Sequence, residues 1–412
     1  MIVPSNAIFV HQPDCSLYKF GEEHPFNPIR LTLTVDLLQT LGALPEEQWH
    51  ETSRQASSQM LALAHREDYI EAVRQLSSLA PAPEEQDSSG QFGLNTEDTP
   101  FFPGMHEAAA AIVAGSVEAA ELVMSGQTLH AYHMAGGLHH AFPERGSGFC
   151  VYNDAAVAIK HLRETYNARV LYIDTDVHHG DGVQWIFYND PDVCTYSIHE
   201  TGKFLFPGTG YVYEKGTDAG VGTCFNLPME PYTEDDSWLE CFRTSISQVT
   251  AAFKPDIIIS QHGCDAHAYD PLSHIHCSMR IYSEMPAIIH ELAHTYTGGK
   301  WVALGGGGYD LWRVVPRAWA LVWLTMIDHP IAAELIGKTT AELEAEALEE
   351  VKRPLESKLR LPQQWLDKWQ KSSPSELPQW WLDDLAQIPP IPRRSEIEAK
   401  NRTICEIAIQ DL

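Results

Sequence analysis

Short β-branched runs at Ala7 to Val10, Val170 to Ile173, Val193 to Ile198, Asp256 to Ser260 and Lys300 to Leu304 alternate along the chain with segments of helical period. Glu107 to Met124 is an alanine-rich helix and Asp154 to Tyr166 a second. Thr233, followed by Glu234, Asp235 and Asp236, reads as an N-cap with an acidic first turn, opening a helix toward Phe253. Ser283 to Thr295 and Leu311 to Ile327 complete the set. This alternation predicts an α/β fold: a central, mostly parallel sheet flanked by helices on both faces. In such sheets ligands sit beyond the carboxyl ends of the strands, so the residues after each strand are the ones to read for chemistry.

The run Asp174-Thr175-Asp176-Val177-His178-His179-Gly180-Asp181-Gly182 follows the strand-like Arg169 to Ile173 and holds three carboxylates and two imidazoles. If the extended geometry persists, Asp174, Asp176 and His178 share one side. Oxygen and imidazole donors together suit zinc, Fe(II) or manganese better than the all-oxygen shells of calcium or magnesium. A solvated acidic loop is the plainer alternative, but five crowded ionisable groups repel unless a cation or partner charges hold them.

Other strand ends point to the same crevice. Gln261-His262-Gly263-Cys264-Asp265 offers Asp265 as a third ligand, and Gly305-Gly306-Gly307-Gly308-Tyr309 would let a tight loop carry a tyrosine into the site. Neither GxGxxG nor a GKS or GKT ending is present to support phosphate binding. His139 and His140, in a glycine-rich loop, could be ligands or an acid and base beside a metal, with Asp174 and Asp181 orienting the two rings.

With 28 basic and 56 acidic residues in 412, the formal charge of -28 opposes a nucleic-acid or anionic-membrane role and suits a neutral or basic partner. No apolar run approaches the roughly 20 residues of a membrane span, and the N-terminus lacks the basic-then-apolar order of a signal peptide, so a cytoplasmic protein is expected. The eight cysteines form no CxxC pair and are expected to be small buried thiols.

HHAFPERGSGFCVYNDAA, LYIDTDVHHGDGVQ, FPGTG, DAHAYDPL and LGGGGYDLW, in this order, resemble the motifs of zinc-dependent histone deacetylases and their bacterial acetoin-utilization relatives. The likeness runs from about Ile8, through HPFNPIR at 24 to 30, to about Trp323. It implies an arginase/deacetylase-like catalytic domain over 1–330, with 331–412 as a helical and irregular extension packed on it.

The resemblance implies zinc, or Fe(II), held by Asp176, His178 and Asp265. It makes His139 and His140 the tandem histidines, supported by Asp174 and Asp181, with His140 as general base and His139 supplying charge or a proton to the leaving amine. Tyr309 would donate to the oxyanion. Phe149 and Phe206 would wall a narrow channel, Asp98 would grip the substrate backbone at its rim, and the Gly148 carbonyl would accept a substrate N–H. Arg30 matches the arginine at the inner end of the pocket, where acetate leaves. Asp174, Asp176, the His178 backbone, Ser197 and Ile198 match a structural potassium site of many relatives. His179, His199, His262 and His267 are expected to pack without a catalytic duty, and His274 and His276 to lie at the surface.

These features imply a lysine deacylase acting on acylated protein or peptide. An amidohydrolase of acetylated polyamines or other small amines on the same site is the second reading. An apolar Leu272, where polyamine-selective relatives can carry an acid, favours the first. In the extension, Thr340 to Val351 reads as an acidic helix, Trp365 and Trp369 at i, i+4 share a buried face, and Ile388 to Pro392 is extended. Packing on the main domain is expected of this segment, with a subunit contact or a part in the substrate entrance as the sharper alternative.

Overall fold

In the computed structural model, which describes residues 6–336 and 359–412, eight strands form one sheet. They are β1 (Ala7–His11), β2 (Trp49–Glu51), β3 (His130–His133), β4 (Val170–Asp174), β5 (Val193–Glu200), β6 (Cys224–Met229), β7 (Ile257–Gln261) and β8 (Trp301–Leu304). Their order is β2-β1-β3-β8-β7-β4-β5-β6, and every pairing is parallel.

The inner strands are buried along their whole length, as a sheet covered on both faces requires. Alternation divides their side chains between two cores. Leu171, Ile173 and Ile258 face one core with the helices Ile29–Thr40, Asp235–Phe253, Met279–Tyr296 and Val315–Met326. Val170, Tyr172, Ile257 and Ile259 face the other with Met105–Met124 and Asp154–Tyr166. Among the described residues no helix is long and apolar enough to cross a membrane.

Three strands fall outside the sequence-based set. β2 is three residues long, β3 reads His-Ala-Tyr-His, and β6 contains Asn226 and Pro228, so none shows an apolar run. Pro228 is tolerated because β6 is an edge strand.

Thr233 is not the N-cap expected of it. The helix is Asp235–Phe253, its cap position falls on Glu234, and the Thr233 hydroxyl donates to Glu230 O (2.6 Å) while accepting from Asn401 Nδ2 (2.8 Å). The hydroxyl is engaged by the C-terminal helix Arg394–Ile409, an element the sequence reading passed over. Residues 311–314 form a turn, so the helix expected from Leu311 begins at Val315, while that expected from Ser283 begins four residues earlier at Met279.

The described part of the C-terminal segment packs on the sheet-bearing core. Trp365 and Trp369 both face the helix Ile29–Thr40, their indole nitrogens donating to Leu33 O (3.1 Å) and Asp36 Oδ2 (2.6 Å). Trp381 is fully buried. The acidic helix expected over Thr340 to Val351 lies outside the described residues.

Candidate metal centre and substrate cleft

Four adjacent strands, β3, β8, β7 and β4, deliver the chemistry at their carboxyl ends. The extended geometry ends with β4 at Asp174, and the backbone bends over residues 176–178, bringing His178 Nδ1 within 3.2 Å of Asp176 Oδ1. Asp265, beyond β7, places its Oδ2 3.1 Å from the same nitrogen. The ligating atoms of these three buried residues lie within 4.8 Å of one another. One imidazole nitrogen carries one proton or one lone pair, so it cannot bond fully to both carboxylates. A shared cation satisfies all three, and the donor set of one nitrogen and two oxygens suits a borderline divalent ion.

The other carboxylate oxygens are held from outside. Asp176 Oδ2 accepts from Gln261 Nε2 (2.7 Å) and Gly307 N (2.8 Å), and Asp265 Oδ1 from Val177 N (2.9 Å). Burial and the nearby Asp176 charge push Asp265 up to about 6. Gly307 is required here, because a Cβ at that position would stand 2.1 Å from Asp265 Oδ2.

The tandem histidines lie beside this group. His139 Nδ1 is 2.8 Å from Asp174 Oδ2, His140 Nδ1 is 2.7 Å from Asp181 Oδ1, and the two Nε2 atoms are 3.0 Å apart. Burial opposes charge on both rings, yet they diverge. Asp174, Asp176 and Asp181 raise His139 to about 9, whereas burial and the neighbouring His139 and His178 drive His140 well below its ordinary value. The pair therefore holds one proton-rich ring and one neutral ring whose Nε2 can act as a base.

Their loop is held by Asp154, which accepts from Gly137 N (3.0 Å) and Leu138 N (2.8 Å), and by Asn153, whose amide donates to the carbonyls of His139 (3.2 Å) and Ala141 (3.0 Å).

A cleft of about 220 Å³ leads to His140 and His178. Phe149, Phe206, Leu205 and Leu272 form its walls, Tyr309 and Gly148 line it, and Asp98 contributes as well. Phe206 stands edge-on to His140 (5.0 Å between centroids) and Phe149 edge-on to Tyr309 (5.7 Å). Gly148 has φ +51°, and a Cβ there would meet the His140 ring at 2.5 Å and Phe206 at 2.8 Å. Phe149 itself has φ +69°. Its backbone is held by the Tyr18 hydroxyl, which donates to Phe149 O (2.7 Å), and by Thr99 Oγ1, which accepts from Phe149 N (3.2 Å). Tyr309 N donates to Asp270 Oδ2 (2.7 Å).

Arg30 lies outside this cleft. It is buried, donates from Nη1 to Gly306 O (3.0 Å) and Gly308 O (3.1 Å), and borders a separate small cavity with Cys15 and Met134. Ser197 and Asp174 are register partners across β5 and β4, but Ser197 Oγ is 2.8 Å from His199 Nδ1. His179, His199, His262 and His267 are buried, bonded to Thr209 and Gln184, to Ser197 and Gly210 O, to Ser260, and to Asp383 respectively. His274 is exposed and His276 is half-buried. All eight cysteines are buried and free.

Comparison with known proteins agrees with this geometry. The histone deacetylase domain profile matches residues 24–326. The acetoin utilization protein AcuC of Bacillus subtilis is 51% identical over 396 residues, covering 96% of this chain and 95% of that protein. The chain belongs to the histone deacetylase family. The Staphylococcus aureus AcuC (strain MRSA252) is 44% identical over 400 residues, covering 97% and 95%, which places the chain among the acetoin-utilization members. A crystal structure of an HDAC homolog from Aquifex aeolicus aligns over 96% of this chain and 99% of its own, with TM-score 0.76 and 25% identity. An HDAC homolog complexed with SAHA aligns over 98% and 99%, with TM-score 0.77 and 26% identity. As a family member the protein is a hydrolytic deacetylase, and the family implies a divalent metal.

The metal-ligand, tandem-histidine and channel residues expected from the sequence meet around this one crevice, whereas Arg30, expected at the inner end of the pocket, lines a separate cavity. The sequence reading missed Tyr18, Thr99, Gln261, Asp154, Asp270 and Leu205. Only Asp154 and Asp270 carried a local signal, as charged residues inside quoted motifs that fold into the interior: relative exposures are 0% and 6%.

Proposed function

We propose that the protein removes acetyl or other short acyl groups from lysine side chains of proteins, with zinc, or Fe(II), at Asp176, His178 and Asp265. The observation that carries this reading is the convergence of those three residues, with His178 and His140 lining an apolar-walled cleft. An acyl-lysine presents an uncharged amide on a four-carbon stem, which such walls accommodate. When bound, the ion would supply Lewis acidity toward the acyl carbonyl and make a nearby water more acidic.

The side chains divide the remaining work. His140, neutral and oriented through Nδ1 by Asp181, accepts the proton of the attacking water at Nε2. His139, kept cationic by Asp174, supplies charge beside the developing intermediate and a proton for the departing amine. Tyr309 donates its hydroxyl to the oxyanion. Phe149, Phe206 and Leu272 exclude water from the stem, the Gly148 carbonyl accepts a substrate N–H, and Asp98 engages the substrate backbone at the mouth. Arg30, behind the site, serves acetate departure. Potassium near Asp174, Asp176, the His178 backbone, Ser197 and Ile198 would brace the β4 and β5 ends. The buried free thiols accord with a reducing, cytoplasmic setting. Residues 1–330 act as the catalytic domain and 331–412 as its extension.

Steady-state kinetics of metal-replete protein on acetyl-lysine peptides, longer acyl-lysines, acetylputrescine and acetylspermidine test the reading. Hydroxamate-sensitive turnover of acyl-lysine is expected. Rapid turnover of acetylpolyamines with none on acyl-lysine would sink it in favour of a small-amine deacetylase.

A further inference from the structure

Among the described residues two groups of three or more ligating side chains converge within 4.8 Å, and the second is not at the cleft. It consists of His130, His290 and His294. His130 opens β3 at its amino end, whereas the tandem histidines follow the carboxyl end of the same strand, so the two groups lie at opposite ends of the parallel strands. His290 and His294 stand at i, i+4 on the helix Met279–Tyr296 and project from one face.

The three rings meet through the same atom. His130 Nε2 is 3.1 Å from His290 Nε2, which is 3.0 Å from His294 Nε2. An imidazole nitrogen has one in-plane hydrogen or one in-plane lone pair, so His290 Nε2 cannot form a regular hydrogen bond to both neighbours. Two nitrogens about 2.1 Å from one ion, at angles of roughly 95 to 110°, stand roughly 3.1 to 3.4 Å apart, close to the separations seen. His130 is buried, and its Nδ1 lacks a hydrogen-bond partner of regular geometry. Trp301 closes the inner side, its ring 5.7 Å from His130 and 5.8 Å from His290. His290 is half-buried and His294 exposed, so the cluster opens to solvent on its outer side.

We infer that His130, His290 and His294 form a second metal site, taking a divalent transition ion of the zinc and copper class through three Nε2 atoms, with its remaining position toward solvent. Imidazole-only donors suit zinc, nickel and copper and disfavour magnesium and calcium. The site links the start of β3 to the helix Met279–Tyr296 and does not depend on the substrate assigned to the cleft.

Equilibrium dialysis of the full chain against zinc, with metal counted by atomic emission, tests this. Wild type should hold two ions per chain, and His290→Ala/His294→Ala one. Asp265→Ala, which breaks the other group, should still hold one, and that ion should disappear when His294→Ala is added. His294 is exposed, so His294→Ala alone gives a folded comparison and should also lose the second ion. A wild-type count of one, or equal counts in wild type and the His294→Ala protein, overturns the site.

Discussion

His140 Nδ1 stands 2.7 Å from Asp181 Oδ1, a contact that turns the opposite nitrogen of the ring toward the cleft. Burial pushes Asp181 up to about 7, against the pull of His139. As an ionised acceptor Asp181 holds the His140 proton at Nδ1, which leaves the lone pair of the ring on Nε2. His140→Ala should lower kcat by about 10²- to 10⁴-fold, the usual worth of a positioned base, with metal content unchanged. Asp181→Asn should fall between that variant and wild type. Metal analysis beside kinetics decides the point: an empty site in His140→Ala would make that residue a ligand.

Tyr309 reaches the cleft because Asp270 fixes its backbone N–H, while the ring rests against Phe149. Tyr309→Phe keeps the ring and removes the donor. It should reduce kcat by about 10²- to 10³-fold while KM changes little, since the hydroxyl acts on charge that develops after binding. A variant retaining most of its kcat would remove Tyr309 from the oxyanion role.

Gly148→Ala tests how tightly the cleft is closed. The added methyl would stand 2.5 Å from the His140 ring, in a backbone of φ +51° that disfavours any side chain. KM for a long acyl-lysine should rise, with kcat reduced as His140 is displaced. Unchanged kinetics would mean that substrate does not pass between Gly148 and Phe206.

The candidate metal-ligand and oxyanion residues were legible because they follow apolar strand runs and because unusual residue types are concentrated there. Asp174 to Asp181 and the Gly305 to Gly308 loop are of this kind. Tyr18 was not legible: its hydroxyl donates to a carbonyl 131 positions away, and nothing near residue 18 announces that contact. β3 was hidden for a related reason, since His130 and His133 interrupt the apolar pattern while serving contacts made by other elements. Arg394–Ile409 was missed because its charged face dominates, although Asn401 on its inner side is fully buried and bonded to Thr233 and Ser237.

Acid sensitivity follows from histidines buried as neutral rings. His65 accepts from Asn153 N (2.9 Å) at Nε2 and bonds Phe142 O (3.0 Å) at Nδ1, and burial lowers it from 6.5 to about 4. Burial lowers His133 and His262 to about 3. Their unfolded forms take up protons that the native forms refuse, so the stability they contribute is complete above about 6.5 and is lost as pH falls toward the native values. Each should contribute about 2 kcal/mol less at pH 5 than at pH 7. Urea midpoints of wild type and His65→Gln across that range isolate one such ring: the gap between them should narrow by that amount as pH falls, and a constant gap would mean that His65 accepts a proton in the folded state.

Asp383 joins the C-terminal segment to the catalytic body by accepting from Arg317 Nη2 (2.8 Å), His267 Nε2 (2.9 Å) and Met279 N (2.7 Å). Burial opposes its charge, yet Arg317 and His267 hold the carboxyl well below the usual carboxylate range. Its contribution is therefore present above about 4 and persists to lower pH than that of the buried neutral histidines. The side chains of Arg317 and Asp383 are 1% and 3% exposed, so Asp383→Ala would strand a buried guanidinium and should cost about 3 to 5 kcal/mol. Denaturant melts should show that loss at pH 7, and Asp383→Asn, which can still accept hydrogen bonds but carries no charge, should recover part of it. If Asp383→Ala loses less than about 1 kcal/mol, the segment is held by its tryptophans, Trp365 and Trp381, and not by this carboxylate.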